Sequence, residues 1–164
     1  NSLKEVQVVN TSPVPGIGIE KSKLPYDVQT FNSATLRQGN SLNLSEYMTE
    51  NLNGVNVNDI QGSPYQSDVT YRGFRASATL GAAQGLSVYL DGVRVNEAFG
   101  DVVNWDMFPE VAFDNVTLVP GSNPIYGLNT LGGALAFTTK SGLTTQGNEL
   151  GLSLGSFGRL KLVG

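Results

Sequence analysis

The chain has no cysteine and no histidine. Their joint absence removes zinc sites, iron–sulfur clusters, cysteine nucleophiles and every histidine-based triad. A cysteine-free chain suits many compartments, among them the periplasm and outer membrane, where a stray thiol would be oxidised. Positive charge is scarce: 10 Lys and Arg stand against 14 Asp and Glu, a net charge of -4, and no basic block could neutralise a run of phosphates. Nucleic acid is therefore not an expected partner. No stretch approaches the ~18 apolar residues of a transmembrane helix. The first residues, "NSLKEVQVVN", lack a basic region followed by an apolar one, so any signal peptide is expected to be already removed. Acid–base groups are thin, and no Ser, Lys and Glu set has a spacing that points to hydrolysis. No enzyme activity and no cofactor are expected.

What is present is turn chemistry, with 20 glycines and 7 prolines in 164 residues, enough chain for one folded unit. "EVQVV" and the Pro/Gly-rich stretch after it read as an extended, mobile arm over 1–25. "YDVQTF" (26–31) reads as a strand. In "NLSEYMTENLNG" Asn43 and Glu46 suit an N-cap and capping box, Leu44, Tyr47, Met48 and Leu52 share one face, and Gly54 suits the C-terminal stop. Strand-like runs follow at 55–59, 67–74, 85–96, 114–119 and 133–140. Val69 and Tyr71, then Leu86, Val88 and Leu90, then Val116 and Leu118, are spaced by two, as a half-buried sheet requires. The expected class is α+β, a small mixed β-sheet with short helices.

The last segment has its own pattern. From Leu150 to Leu162 the even positions are mostly leucine and the odd ones, Phe157 apart, polar or small. That parity fits one transmembrane β-strand, of the ~9–11 residues a barrel strand needs. The bland alternative is an amphipathic edge strand of the same domain. A single strand cannot span a bilayer alone, because its backbone groups would lack partners.

Four segments in fixed order, "LSEYMTENLNGVNVND", "VTYRGF", "SVYLDGVRVN" and "NVTLVPGSNPIYGLNTLGGALAFTTKSG", resemble the plug domain of TonB-dependent outer-membrane receptors, and "GLSLGSFGRLKLVG" resembles the first barrel strand that follows it. The resemblance implies an arm over 1–25, a plug over 26–145 and the start of a barrel over 146–164. It also implies a Gram-negative outer-membrane location and a barrel of about 22 strands whose lumen the plug blocks. Ferric siderophores, other iron chelates, cobalamin or similar small molecules would be the imported ligands. The partners would be the chain's own barrel and the C-terminal domain of TonB, energised by ExbB and ExbD.

Carried onto this chain, the resemblance makes Glu5, Val6, Gln7, Val8 and Val9 the TonB box, a segment able to add a strand to a partner's sheet edge. The plain reading of the same residues is a first strand of the plug. Ligand would be met by 59–68 and 97–109, through Gln61, Tyr65, Gln66, Glu97, Phe99, Asp101, Trp105 and Asp106, while 75–85 would point to the periplasm. Trp105 and Phe108 could instead pack beneath their loop. Acidic groups there lean against an anionic chelate, and no calcium-loop spacing accompanies them, so no metal site is expected. Arg72 would face the barrel and lock the plug. Where many family members carry a second arginine in an "RGP"-like motif, this chain has Pro120 and Gly121. Without its barrel the chain, with a lumen-facing surface and a leucine-faced strand exposed, is expected to self-associate or to be partly disordered, chiefly at 1–25 and 145–164. The competing reading is a free-standing periplasmic or surface interaction domain with a plug-like fold.

Overall fold

Three dipeptides fold the chain back on itself: Gln61 and Gly62 at φ 55° and 71°, Arg72 and Gly73 at 50° and 87°, Asp91 and Gly92 at 47° and 82°. Positive φ at two consecutive positions is the turn geometry whose twist matches paired strands, so each dipeptide closes a hairpin. The computed structural model describes residues 8–9, 19–32, 44–143, 151–155 and 159–163.

The first two turns build a three-stranded antiparallel sheet. It comprises β4 (Val55–Ile60), β5 (Ser63–Tyr71) and β6 (Phe74–Ser77), in that spatial order. The pairing slips near the first turn, where Asp59 faces Ser67 and Ile60 faces Ser63, leaving residues 64–66 as a bulge. The run 67–74, expected as one strand, is thus the end of β5, a reversal and the start of β6. Arg72 adopts a left-handed backbone there that its side chain does not advertise.

The larger sheet has the order β3 (Gln29–Asn32), β9 (Phe113–Pro120), β10 (Gly133–Thr139), β7 (Leu86–Leu90), β8 (Val93–Arg94). β10 runs antiparallel to β9 and parallel to β7. Interior strands are covered on both faces. Accordingly Leu86, Ser87, Val88 and Tyr89 are all buried, where alternation alone would leave every second residue wet. Gly133 is required by close approach: at φ 149° a Cβ would lie 2.6 Å from the Val119 carbonyl oxygen.

The helix α1 (Leu44–Asn51) sets Leu44, Tyr47 and Met48, with Leu52 just beyond its end, into the main core beside Val69, Tyr71 and the inward face of the larger sheet. Its expected cap, Asn43, lies outside the described residues. Gly54, at φ 80°, turns the chain into β4. On the opposite face of the larger sheet a second core holds Val28, Tyr89, Val119, Tyr126 and Ala134, with Leu24 and Tyr26 packed over it. Residue 24 is thus already part of the packed body.

Two small pairings lie toward the ends. β1 (Val8–Val9) pairs with β2 (Ile19–Glu20), which leads into a 3-10 turn at Lys21–Lys23. β11 (Gly151–Gly155) pairs with β12 (Arg159–Val163), with Leu152 opposite Leu162 and Leu154 opposite Leu160. The run read as one continuous strand is therefore a hairpin. Directly opposed residues share a face, so the leucine parity survives the fold-back. No helix among the described residues is long and apolar enough to cross a membrane, which says nothing about strands.

Candidate functional site

β7 and β10 run parallel and start at Leu86 and Gly133. The segments that enter them, 78–85 and 121–132, therefore meet at one end of the larger sheet, together with 95–104, which leaves β8. Backbone bonds weld the three: Gly132 donates to the Gly85 carbonyl at 2.9 Å, Gly121 to Gly132 at 3.0 Å, and Val103 to Ser77 at 2.9 Å. Within the third segment Glu97 donates to Val102 at 2.9 Å, closing a tight loop whose turn uses Gly100 at φ 78° and Asp101 at φ 54°.

An open cleft of about 650 Å³ lies among these loops. Its polar lining is Gln84, Arg94, Asn96, Glu97, Asp101 and Asn129, and Ala82, Ala98, Gly100 and Leu128 supply the apolar part. Asp101 is the hub. Its Oδ1 accepts from Arg94 Nη2 at 3.1 Å and its Oδ2 from Asn129 Nδ2 at 2.6 Å. Asn96 fixes the floor: Oδ1 accepts from the Val88 amide at 2.7 Å, and Nδ2 donates to the carbonyls of Leu86 at 3.0 Å and Asp101 at 3.3 Å. Asn104 donates to Glu97 Oε1. Gln84 Oε1 accepts from the Ser77 amide at 2.9 Å, whereas its Nε2 is buried without a hydrogen-bond partner. A donor in that condition costs free energy until something accepts from it.

Large apolar side chains crowd the same end. Phe99 at the loop tip is 79% exposed and Leu128 87%, and Leu80, Ile125 and Leu131 are also exposed. Leu80 lies against Gly100, where a Cβ would come within 2.6 Å of its Cδ2. Behind the cleft, the Tyr89 hydroxyl donates to the Tyr126 carbonyl at 2.6 Å. Burial raises the Tyr89 pKa, against a lowering pull from the Arg94 charge. Tyr126 is pushed up to about 12, first by burial and then by Tyr26 and Tyr89.

The structure sorts the residues expected from sequence. Glu97 and Asp101 come together in the cleft lining, while Phe99 is exposed on the same loop and is not one of the lining residues. Gln61 and Gln66 are exposed at the β4–β5 end of the smaller sheet, and Asp106 is exposed on a 3-10 turn. The Tyr65 side chain lies outside the described residues, as do Glu5, Val6 and Gln7, while Val8 and Val9 form β1. Trp105 is not at a ligand-facing surface. It is 6% exposed, donates its Nε1–H to the Ala76 carbonyl at 3.0 Å and packs tilted against Phe108 and edge-on against Phe137 in the main core. Arg72 is exposed at its turn, its guanidinium 5.0 Å from the Tyr71 ring centre.

One placement reverses. Segment 75–85 does not point away from 97–109: Val103 bonds Ser77, Trp105 bonds Ala76, and Ala82 and Gln84 share the cleft with Glu97 and Asp101. The cause is the extra reversal at Arg72 and Gly73, which returns β6 to the end of the smaller sheet that carries Gln61 and Gly62. Arg94, Asn96, Gln84 and Asn129 had no sequence signal beyond the Asp-Gly turn that places Arg94 beside β7.

The family described as TonB-dependent Receptor Plug Domain matches residues 20–134. No curated protein matches the chain. Among solved structures, the ferric yersiniabactin uptake receptor FyuA from Yersinia pestis is similar at 18% identity and a TM-score of 0.54, over 74% of this chain and 18% of that one. A double mutant of the Serratia marcescens hemophore receptor HasR, in complex with its hemophore HasA and heme, gives 20% and 0.54, over 79% and 19%. The copper transporter OprC gives 19% and 0.52, over 96% and 22%. The chain thus spans about a fifth of the length of these structures, and the likeness is one of fold.

Proposed function

Because the chain belongs to the TonB-dependent receptor plug domain family, we propose that it is the gate of an outer-membrane importer, filling a barrel lumen and linking ligand capture to TonB-driven uptake. The observation that carries this reading is the cleft: three loops, welded by backbone bonds, present one polar, apolar-rimmed surface at a single end of the sheet. A rigid receptor surface on an otherwise packed plug is what ligand sensing requires. Gln61, Tyr65, Gln66, Glu97, Phe99, Asp101 and Asp106 would meet a scarce ligand of the ferric-siderophore or cobalamin size class. Arg72, exposed at a rigid turn, would pair with carboxylates of the barrel wall.

TonB coupling would act through residues 5–9. Val8–Val9 already adopts strand geometry, paired with Ile19–Glu20, which supports recognition by strand addition. Val8→Pro removes a backbone donor and the freedom of φ. The full chain should bind the C-terminal domain of TonB in calorimetry, and Val8→Pro should abolish that binding. Equal binding by the variant would sink the assignment. The self-paired β11–β12 hairpin supports a second reading, a free-standing interaction domain with this fold. A reading frame that continues into some twenty alternating strands, as the barrel of roughly that strand number requires, favours the gate.

A further inference from the structure

The chain contains one Asn-Gly dipeptide, Asn53–Gly54, at the turn that takes α1 into β4. Asparagine before glycine is the pair most open to internal attack, because no side chain on the second residue hinders its amide nitrogen from reaching the side-chain carbonyl of the first. The local structure removes the usual obstacles. Both residues are exposed, and the Asn53 side chain has no hydrogen-bond partner among the described residues. Nor does the Gly54 N–H donate to any described group, so the attacking nitrogen has no bond to give up first. The Asp-Gly pair at 91–92 is the contrast: both Asp91 carboxylate oxygens are held by Thr139.

Gln29, on β3 and 24 positions away, grips the same turn. Its Oε1 accepts from the Asn53 amide at 2.7 Å, and its Nε2 donates to the Asn53 carbonyl at 3.1 Å. That carbonyl and the Gly54 N–H belong to one peptide group. Negative charge left by a departing Gly54 proton spreads onto the Asn53 oxygen, and a donor fixed there stabilises it. We propose that Asn53 is a self-modification site, deamidated through its own backbone, with Gln29 polarising the attacking peptide. Hydroxide takes the Gly54 amide proton and the nitrogen bonds to Asn53 Cγ. The Cγ–Nδ2 bond then breaks, and the side-chain nitrogen leaves as ammonia with a proton returned from water. Water opens the resulting succinimide at Cγ, giving aspartate, or at the main-chain carbonyl carbon, giving isoaspartate. The isoaspartate form routes the main chain through Cβ, so the amide and carbonyl that Gln29 bridges lose their spacing. Leu52 and Val55 on either side are buried in the main core and cannot slide to absorb the added length. The reaction thus unlatches β3 from the α1–β4 turn and adds a negative charge there.

The test holds the protein of the complete reading frame, folded, in mildly alkaline buffer, beside a synthetic peptide of residues 48–58 that supplies the rate without the fold. Peptide mass mapping reads the exchange of amide for acid at residue 53, and enzymatic methylation of isoaspartate reads the linkage. The folded parent should convert at least as fast as the peptide. Gln29→Glu keeps the acceptor for the Asn53 amide and removes the donor, and should slow conversion about threefold or more. Gln29→Leu removes both contacts and should slow it as well, with thermal melts checking that each variant is folded. Asn53→Gln should abolish the isoaspartate signal at this position, since the larger ring closes far more slowly. Amide hydrogen exchange over 29–32 should rise about threefold or more as isoaspartate accumulates, and should stay flat in Asn53→Gln. Folded protein that keeps its Asn53 amide while the peptide converts overturns the site. Conversion at or above the parental rate in either Gln29 variant overturns the role given to Gln29. Conversion with no change of exchange over 29–32 overturns the unlatching.

Discussion

Asn129 reaches across 28 positions of sequence to donate a 2.6 Å hydrogen bond to Asp101, the residue whose other carboxylate oxygen holds Arg94. The β8 strand with the loop that leaves it and the 121–132 segment are thereby tied at one side chain, which also sits in a left-handed backbone conformation at φ 54°. Two demands meet at this position: a short polar side chain that tolerates that backbone, and two acceptor oxygens.

Asp101→Asn meets the first demand and half of the second. It should cost about 1 kcal/mol, because one acceptor and the partly buried ion pair are lost. Asp101→Ala loses every side-chain bond and, with it, the polar group that lets Asp and Asn tolerate a left-handed backbone. It should cost about 1 kcal/mol more, and urea denaturation of the two variants side by side reads the difference.

Tyr126 sets an alkaline limit. Its hydroxyl is buried without a hydrogen-bond partner, and its pKa is raised from 10.0 to about 12. The neutral form is therefore the one the fold favours. Its contribution is fully present below about pH 10 and is lost as pH climbs from there through 12, since the unfolded chain ionises first. Tyr89, raised by burial, acts in the same sense. Tyr126→Phe should flatten the fall in stability between pH 10 and 12. Below pH 10 it should stay within about 1 kcal/mol of the parent, because an unpartnered hydroxyl contributes little. Melting temperatures across that range decide it.

Gly133→Ala should be severe for its size. The added carbon would meet the Val119 carbonyl oxygen at 2.6 Å, and a paired backbone cannot step aside as a flexible side chain can. A loss of about 1–3 kcal/mol is expected. Gly142, with open space around its Cα, is the matched control and should change stability negligibly as alanine. Equal effects at both positions in urea melts would contradict the packing.

Trp105→Phe separates packing from recognition. The indole donates to Ala76 inside the core, so its loss should destabilise the fold by about 1–3 kcal/mol through a lost bond and a small cavity. Ligand affinity should be unchanged in the same protein. A Trp105→Phe variant of parental stability and reduced affinity would return this ring to the ligand surface.

The sequence carried some of this and hid the rest for physical reasons. Leu44, Tyr47, Met48 and Leu52, spaced for one helix face, all enter the core, and Val69 and Tyr71 alternate as written, whereas Val116 and Leu118 lie in a run, 116–119, that is buried on both faces. Four ordered motifs sufficed to indicate the family. The reversal at Arg72 and Gly73 was illegible because arginine seldom takes φ 50°, so 67–74 read as one strand, while the separation of 75–85 from 97–109 was implied by the family resemblance alone. Trp105 and Phe99 look equivalent in a list of loop aromatics; only the Ala76 carbonyl beneath one of them distinguishes anchor from tip. Asp101, by contrast, was legible as a polar loop residue, and Arg94 is a near neighbour in sequence, but Asn129 comes from a segment that only the sheet order brings to it.

That order also dictates a sequence of events in assembly. β10, the last strand of the larger sheet along the chain, occupies its middle, between β9 and β7. Until residues 133–139 arrive, β3 with β9 and β7 with β8 are two separate pairs with nothing between them, and the parallel pairing of β7 with β10 must close a long loop, the slow kind of contact. The keystone is thus laid last. Asp91 then grips its far end, taking the Thr139 amide at 2.8 Å and its hydroxyl at 2.7 Å. The larger sheet becomes whole only when its last strand along the chain is set between the two pairs laid down before it.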